Sequence, residues 1–369
     1  MNTFAPDSLD SATQRLKSRC ACFAALVSIA LLGFACFGSS QIVSAQSKRN
    51  ADHLLIYSID VEGGQATLLV CPSGGSLLVD TGWPGNGGRD AMRIETAMHD
   101  AGIGRIDRVL LTHYHVDHAG GVPDLLKRVD VGEFLDHGPN RETDNTIGTE
   151  AVYEAYLKAI AGHPHRVVRP GDTIAVPGLS IVVLTADGEH ISTVLGITPV
   201  PNSYCASERA WPDDPSENAR SAGILVSFGK FKFLDLGDLT GQKEVALVCP
   251  NDPIGTVDLY LTTHHGLDQS NSRPVVDAVH PRVAIMNNGA HKGGSPQAWQ
   301  TVHDSPGLID LWQLHTAEGS DAAHNSPDWL IANLKGDSDG AYLKVAASRD
   351  GSFSVTNTRT GQTKDYPRN

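Results

Sequence analysis

Cysteine is scarce where a stapled fold would need it. The 369 residues hold six, and Cys20, Cys22 and Cys36 fall in an N-terminal stretch that reads as a leader. Cys71, Cys205 and Cys249 remain, an odd number that allows one disulfide at most and leaves a thiol over. Clusters of Lys and Arg are missing too. At a net charge of −13 the chain lacks the basic face that tight, non-specific nucleic-acid binding needs. No repeat of solenoid period and no Ser-His-Asp elbow or reactive-cysteine signature is present. Cys71 and Ser73-Gly74-Gly75 read instead as a turn between strands.

The longest apolar stretch, Ala21 to Gly38, follows Arg15, Lys17 and Arg19 and precedes the small residues Val43-Ser44-Ala45. That order predicts a secretory signal peptide over 1–45, cut near Gln46, with a single N-terminal anchor as the alternative. The stretch is short and poorly flanked for a membrane span. Removing this leader, with three basic and two acidic side chains, takes the net charge from −13 to −14. The 324 residues left can bury a core without a staple. The expected mature protein is periplasmic or secreted, free of the membrane, and one domain over 46–369.

Histidine is what the chain has. His113, His115, Asp117 and His118 fall within six residues, directly after the apolar run Val109–Leu111. A strand over Asp107–Thr112 and a helix over Ala119–Lys127 would fan these side chains around a tight loop. His113 and His115, two apart, can face one point, and Asp117 and His118 a second. Two imidazoles suit zinc, and a carboxylate plus an imidazole suit another ion.

The remaining chain alternates apolar runs with turn clusters, as two similar halves. Strands are expected over 54–59, 66–71, 76–80, 131–135, 173–176, 179–185, 222–227, 230–236, 258–262 and 283–287. Helices are expected over 90–101, 145–161, 241–248, 274–279 and 296–303, and a terminal hairpin over 341–346 and 353–358 turns at Asp350-Gly351. The stretch 186–221 is long, polar and rich in Pro, Ser and Asp, and reads as an insertion or lid.

The His-x-His-x-Asp-His run after an apolar strand resembles the metallo-β-lactamase superfamily. Ile59-Asp60-Val61-Glu62-Gly63-Gly64-Gln65-Ala66, then Leu77-Leu78-Val79-Asp80-Thr81-Gly82, looks like the opening of the hydrolase domain of ComEC-type DNA-uptake competence proteins. Phe233–Leu239, with Asp238, resembles the later strand that ends in a metal-bridging carboxylate, and Thr263-His264-His265-Gly266 the histidine pair that follows. The resemblance spans about residues 53 to 290. It implies a four-layer αβ/βα sandwich with metal at its top edge.

On that resemblance, His113 and His115 hold one ion, and Asp117, His118 and His265 a second. Asp238 bridges the two, and Asp80 supports the first histidine pair. His265 is favoured over His264 as ligand, which leaves His264 to contact substrate or supply a proton. The implied cofactor is zinc at two sites, with manganese as the alternative. The third histidine expected for the first ion is missing. Its slot falls at Glu217, Asn218 or Ala219, and no histidine lies between His190 and His264. The first ion should therefore be the weaker, with Glu217, Asn218, His190 or His137 to complete it.

His137 is also a candidate for the pocket rim, and Asn287–Gly294 for a loop that presents N–H groups and the Lys292 ammonium to an anion. His315 and His324 read as loop residues with a smaller claim. Two ions sharing a water make a hydroxide near neutral pH, so hydrolysis is the reaction class. The resemblance tilts it towards a phosphoester or phosphodiester, with Asp117, Lys292 and His264 at the reacting group. The acidic charge favours a small or short substrate. A β-lactam or lactone is the alternative, and a non-catalytic metal- or ligand-binding module is the reading of another class.

Overall fold

Alternation decides the layers. In β1 (Leu54–Ser58) the side chains of Leu54 and Ile56 enter one core and those of Leu55 and Tyr57 another, as period-two strands buried on both faces must. The computed structural model describes residues 52–143, 148–207, 209–335 and 339–368. The expected leader and cleavage site lie outside them.

The first half continues through β2 (Thr67–Val70), β3 (Ser76–Val79), α1 (Arg89–Ala101), β4 (Arg105–Leu110), α2 (Val116–Ala119), α3 (Val122–Leu125), β5 (Asp130–Asp136), α4 (Thr149–Ala159) and β6 (His165–Val167). The second runs through β7 (Ser180–Val183), β8 (Ile224–Phe228), β9 (Phe231–Asp235), α5 (Gly241–Val248), β10 (Leu259–Leu261), α6 (Arg273–Val279), β11 (Val283–Met286), α7 (Pro296–His303), β12 (Asp310–His315) and β13 (Ile331–Asn333). β14 (Leu343–Ala347), β15 (Phe353–Asn357) and β16 (Gln362–Tyr366) close the chain.

One sheet has the order β16-β15-β14-β1-β2-β3-β4-β5-β6 and the other β13-β12-β11-β10-β9-β8-β7. Leu77, Val79 and Leu110 meet Phe231, Phe233, Ile285 and Trp312 between the sheets. On the outer faces, Ile94 and Met98 of α1 cover the first sheet, and Leu247, Val275 and Trp299 of α5, α6 and α7 cover the second. The layers run α, β, β, α, the metallo-β-lactamase fold expected.

The parallel strands position the site. β3 to β6 are parallel, as are β9 to β13. Asp80, His113, His137, Asp238, His264 and Asn287 each follow the C-terminal end of such a strand, where open α/β sheets gather their ligands.

Several expected elements differ. The helix over Ala119–Lys127 is two short ones, α2 and α3, parted at Gly120-Gly121. The backbone there lies against Thr81, so a Cβ on Gly121 would meet the Thr81 carbonyl oxygen at 2.0 Å. The expected strand over 173–176 supplies only a bridge from Thr173 to Val182. The helix expected from 145 starts at Thr149, and residues 144–147 lie outside the described ones. β6, β12, β13 and β16 were unexpected. The stretch over 186–221, expected as an insertion or lid, is tied down at three places: Glu189–His190 pairs back on Thr185–Ala186, Val200–Pro201 pairs with Asn251–Asp252, and a disulfide joins Cys205 to Cys249. Among the described residues, Cys71 is the buried free thiol.

Candidate metal centre

Asp117, His118, Asp238 and His265 offer ligand atoms that all lie within 4.8 Å of one another, and all four residues are buried. His118 Nε2 stands 3.2 Å from Asp117 Oδ2 and 3.2 Å from Asp238 Oδ2. His265 Nε2 stands 3.2 Å from Asp117 Oδ2, 3.3 Å from Asp238 Oδ1 and 3.2 Å from His118 Nε2. The two ring nitrogens and two carboxylates thus converge on one point.

Local sequence explains the convergence. α2 begins at Val116, so Asp117 and His118 lie in its first turn, past the end of β4. Gly64 lets another loop close over that turn: a Cβ there would meet the Asp117 carbonyl oxygen at 2.4 Å, and Gln65 N–H donates to that oxygen at 3.1 Å. His264 and His265 both have left-handed backbones, φ 56° and 55°, a conformation rare outside glycine and found at functional turns. Asn271 Nδ2 holds this turn by donating to Thr263 O at 2.9 Å and Leu267 O at 3.1 Å.

The His118 ring is fixed from behind, where its Nδ1 pairs with Asp80 Oδ2 at 2.7 Å. Asp80 also accepts from Thr112 N–H at 2.8 Å and from the Thr112 hydroxyl at 2.7 Å. Asp80 therefore supports His118, not the His113 and His115 pair as expected. His113 Nδ1 has the Thr112 hydroxyl at 3.0 Å, and its Nε2 is buried without a hydrogen-bond partner, 3.9 Å from Asp238 Oδ2. His115 Nε2 faces Glu142 Oε2 at 3.0 Å.

The titration shifts show one field. Burial works to raise Asp117, but His118, His265 and Lys292 override it and hold the carboxylate well below its usual range. Asp238 behaves the same way, against burial, through His118, His265 and His264. Burial works to lower His118, yet Asp238, Asp117 and Asp80 carry it well above the usual imidazole value. His113, facing its own burial and two neighbouring imidazoles, goes well below. Burial takes His264 down to about 4. An anionic pocket that either protonates a buried histidine or takes a cation fits a metal ion. His113 Nε2, buried without a hydrogen-bond partner, is a further donor beside the cluster.

Lys292 reaches the centre: its Nζ pairs with Asp117 Oδ2 and lies 5.2 Å from the Trp83 ring centre. The loop that carries it is no loose surface turn, because Gly294 N–H donates to His265 O at 2.9 Å. His264 Nε2 lies 3.4 Å from Asp238 Oδ2 and 3.5 Å from Asn218 Nδ2.

Other candidates fall elsewhere. Glu217 is fully buried, but its carboxylate takes His137 Nε2 at 2.9 Å and Arg141 N–H at 2.7 Å. His190 lies exposed with its Nδ1 against its neighbour's carbonyl, so it does not complete the site. His315 ends β12 rather than lying in a loop, and pairs with Asp60 Oδ1 at 2.7 Å and Glu62 Oε2 at 3.4 Å. His324 pairs with Asp321 at 2.7 Å, away from the centre. Sequence reasoning missed Thr112 and Glu142. Thr112 stands beside the motif and could have been suspected. Nothing in the pattern marked Glu142, 27 residues from its partner.

Comparison with known proteins finds similar sequences. The family model described as metallo-beta-lactamase superfamily matches residues 60–203. Recombination protein 2 of Haemophilus influenzae is 26% identical over 238 residues, 63% of this chain and 24% of that one. ComE operon protein 3 of Bacillus subtilis is 24% identical over 258 residues, 69% and 26% of the two chains. Ribonuclease Z of Methanopyrus kandleri is 35% identical over 126 residues, 33% and 39%. The chain spans about a quarter of the length of the first two relatives.

Proposed function

We propose that this chain, which carries a metallo-β-lactamase superfamily domain resembling that of ComEC-type competence proteins, is a metal-dependent hydrolase of small or short phosphoesters. The carrying observation is the four-donor cluster of Asp117, His118, Asp238 and His265, with the Lys292 ammonium beside it.

Those four residues would hold the tighter ion. His113 and His115, sharing Asp238, would hold a weaker one, without the third imidazole. Zinc suits this nitrogen and oxygen set, and manganese is the alternative. Bound metal supplies a hydroxide at neutral pH and charge to stabilise an oxyanion. The chain's own residues do the rest. Asp117 orients the attacking water, and Lys292 meets an anionic oxygen of the substrate. His264, neutral at pH 7 with its pKa near 4, would position the leaving group by hydrogen bonding rather than as an imidazolium acid. The net charge of −13 disfavours long nucleic acid, and the Ribonuclease Z relative supports phosphoester chemistry only in kind.

Chelated protein reloaded with zinc or manganese tests this against bis(4-nitrophenyl) phosphate, a chromogenic cephalosporin and a lactone. Turnover of the phosphoester is expected. Turnover confined to the lactam or lactone would sink the phosphoester reading, and none on any substrate the enzyme itself.

We further propose export. The Cys205–Cys249 disulfide suits an oxidising compartment, and the n-, h- and c-region order suits a leader cut near Ala45-Gln46. N-terminal mass analysis of exported protein should find Gln46 first, and an intact Met1 there would overturn this.

A further inference from the structure

We infer that Glu142 is a positioning residue that sets the His115 ring for the weaker ion, an inference that rests on the two-ion reading above.

Four contacts carry it. His115 Nε2 lies 3.0 Å from Glu142 Oε2. The same oxygen accepts the Glu217 N–H at 3.0 Å. Glu142 is itself braced, since its N–H donates to Asn140 Oδ1 at 2.9 Å and its carbonyl accepts from Asn140 Nδ2 at 2.9 Å. A carboxylate can only accept, so in the neutral ring this contact favours the proton on Nε2 and leaves the Nδ1 lone pair for a metal. Carboxylates that hold a ligand histidine in this way fix its tautomer and raise its basicity.

The surroundings explain why Glu142 matters in this chain. Glu217 is one of the three positions, 217 to 219, where the missing histidine was expected, yet its oxygens go to His137 Nε2 and to the Arg141 N–H. The two loops clasp each other: Glu142 takes an N–H from the 217 loop, and Glu217 takes one from the 141 loop. With Glu217 turned away, the weaker ion depends on His113, His115 and Asp238, and the orientation of His115 counts for more. His113 Nε2, buried and without a partner, shows that the facing donor is left open.

The test is a metal titration of chelated full-length protein with zinc, followed by calorimetry, for wild type, Glu142→Ala and Glu142→Gln. Thermal melts of the metal-free variants check the fold. Glu142→Ala should weaken the weaker step by about 10–100-fold and leave the tighter step in place. Glu142→Gln keeps an acceptor without the charge and should stay within about fivefold of wild type. Long-range 15N NMR should show the His115 Nε2–H tautomer in the wild type and its loss in Glu142→Ala. Equal damage from Gln and Ala would make Glu142 a ligand and overturn the positioning role, as would an unchanged weaker step in Glu142→Ala. A wild type that binds one ion only would overturn the two-ion reading, and this role with it.

Discussion

Asp80 and His118 are 38 residues apart in sequence, and their side chains meet at 2.7 Å. The contact forms because Asp80 leaves β3 in a left-handed conformation, φ 59°, which swings its carboxylate under the loop after β4. Asp80→Ala would free the His118 ring and leave Thr112 without its acceptor. We expect zinc affinity at the tighter site to fall by about 10–100-fold. Asp80→Asn, which tolerates a left-handed backbone and keeps an acceptor, should lose less. Competition with a chelator of known affinity measures both.

Replacing Asp117 with Ala removes a carboxylate from the four-donor cluster and the partner of Lys292. Hydrolysis should fall by at least about a hundredfold, beyond what losing a supporting contact costs. The melt of the chelated protein should stay near wild type, because Asp117 lies outside all three apolar cores. Near-normal turnover would mean the site is misassigned.

Lys292→Ala separates binding of metal from binding of substrate. The ammonium competes with any cation for Asp117, so zinc affinity should hold or rise. kcat/KM on an anionic phosphoester should drop by about tenfold or more, the loss of one charge-assisted contact, and a neutral ester should be spared. Equal losses on both substrates would remove Lys292 from substrate recognition.

Stability should depend on pH through Glu244. Burial raises this carboxyl to about 7, although it accepts N–H bonds from Asn271 at 3.1 Å and Ser272 at 2.7 Å. A raised folded pKa means that the folded state holds the proton longer. Its contribution is therefore present in full below the unfolded value of 4.5 and is lost as pH rises towards about 7. Melts of metal-free protein between those limits should show this loss. Glu244→Gln should flatten the slope, and an unchanged slope would assign it to another group, with Asp235, also raised to about 7 by burial, the first to test.

How much of this was legible in the sequence follows from where each signal lives. Most of the strands that enclose the core were visible because alternation and apolar runs are local, and so were the turn at Asp350-Gly351 and the run from His113 to His118. The preference for His265 over His264 came from resemblance, and it is His265 that falls in the four-residue cluster. β12 and β16 were missed because polar residues interrupt them: Asp310, Gln313 and His315 in one, Gln362 to Asp365 in the other. Their place in a sheet is decided by neighbours far along the chain. So are the partners of His118 and His115. The sequence by itself determined which side chains could bind a cation, because histidine and carboxylate chemistry belongs to the residue. Only the tertiary structure decided which of them share a point, because the loops of two sheets close over one edge and bring Asp80, Glu142 and Lys292 from distant segments to hold the motif in place.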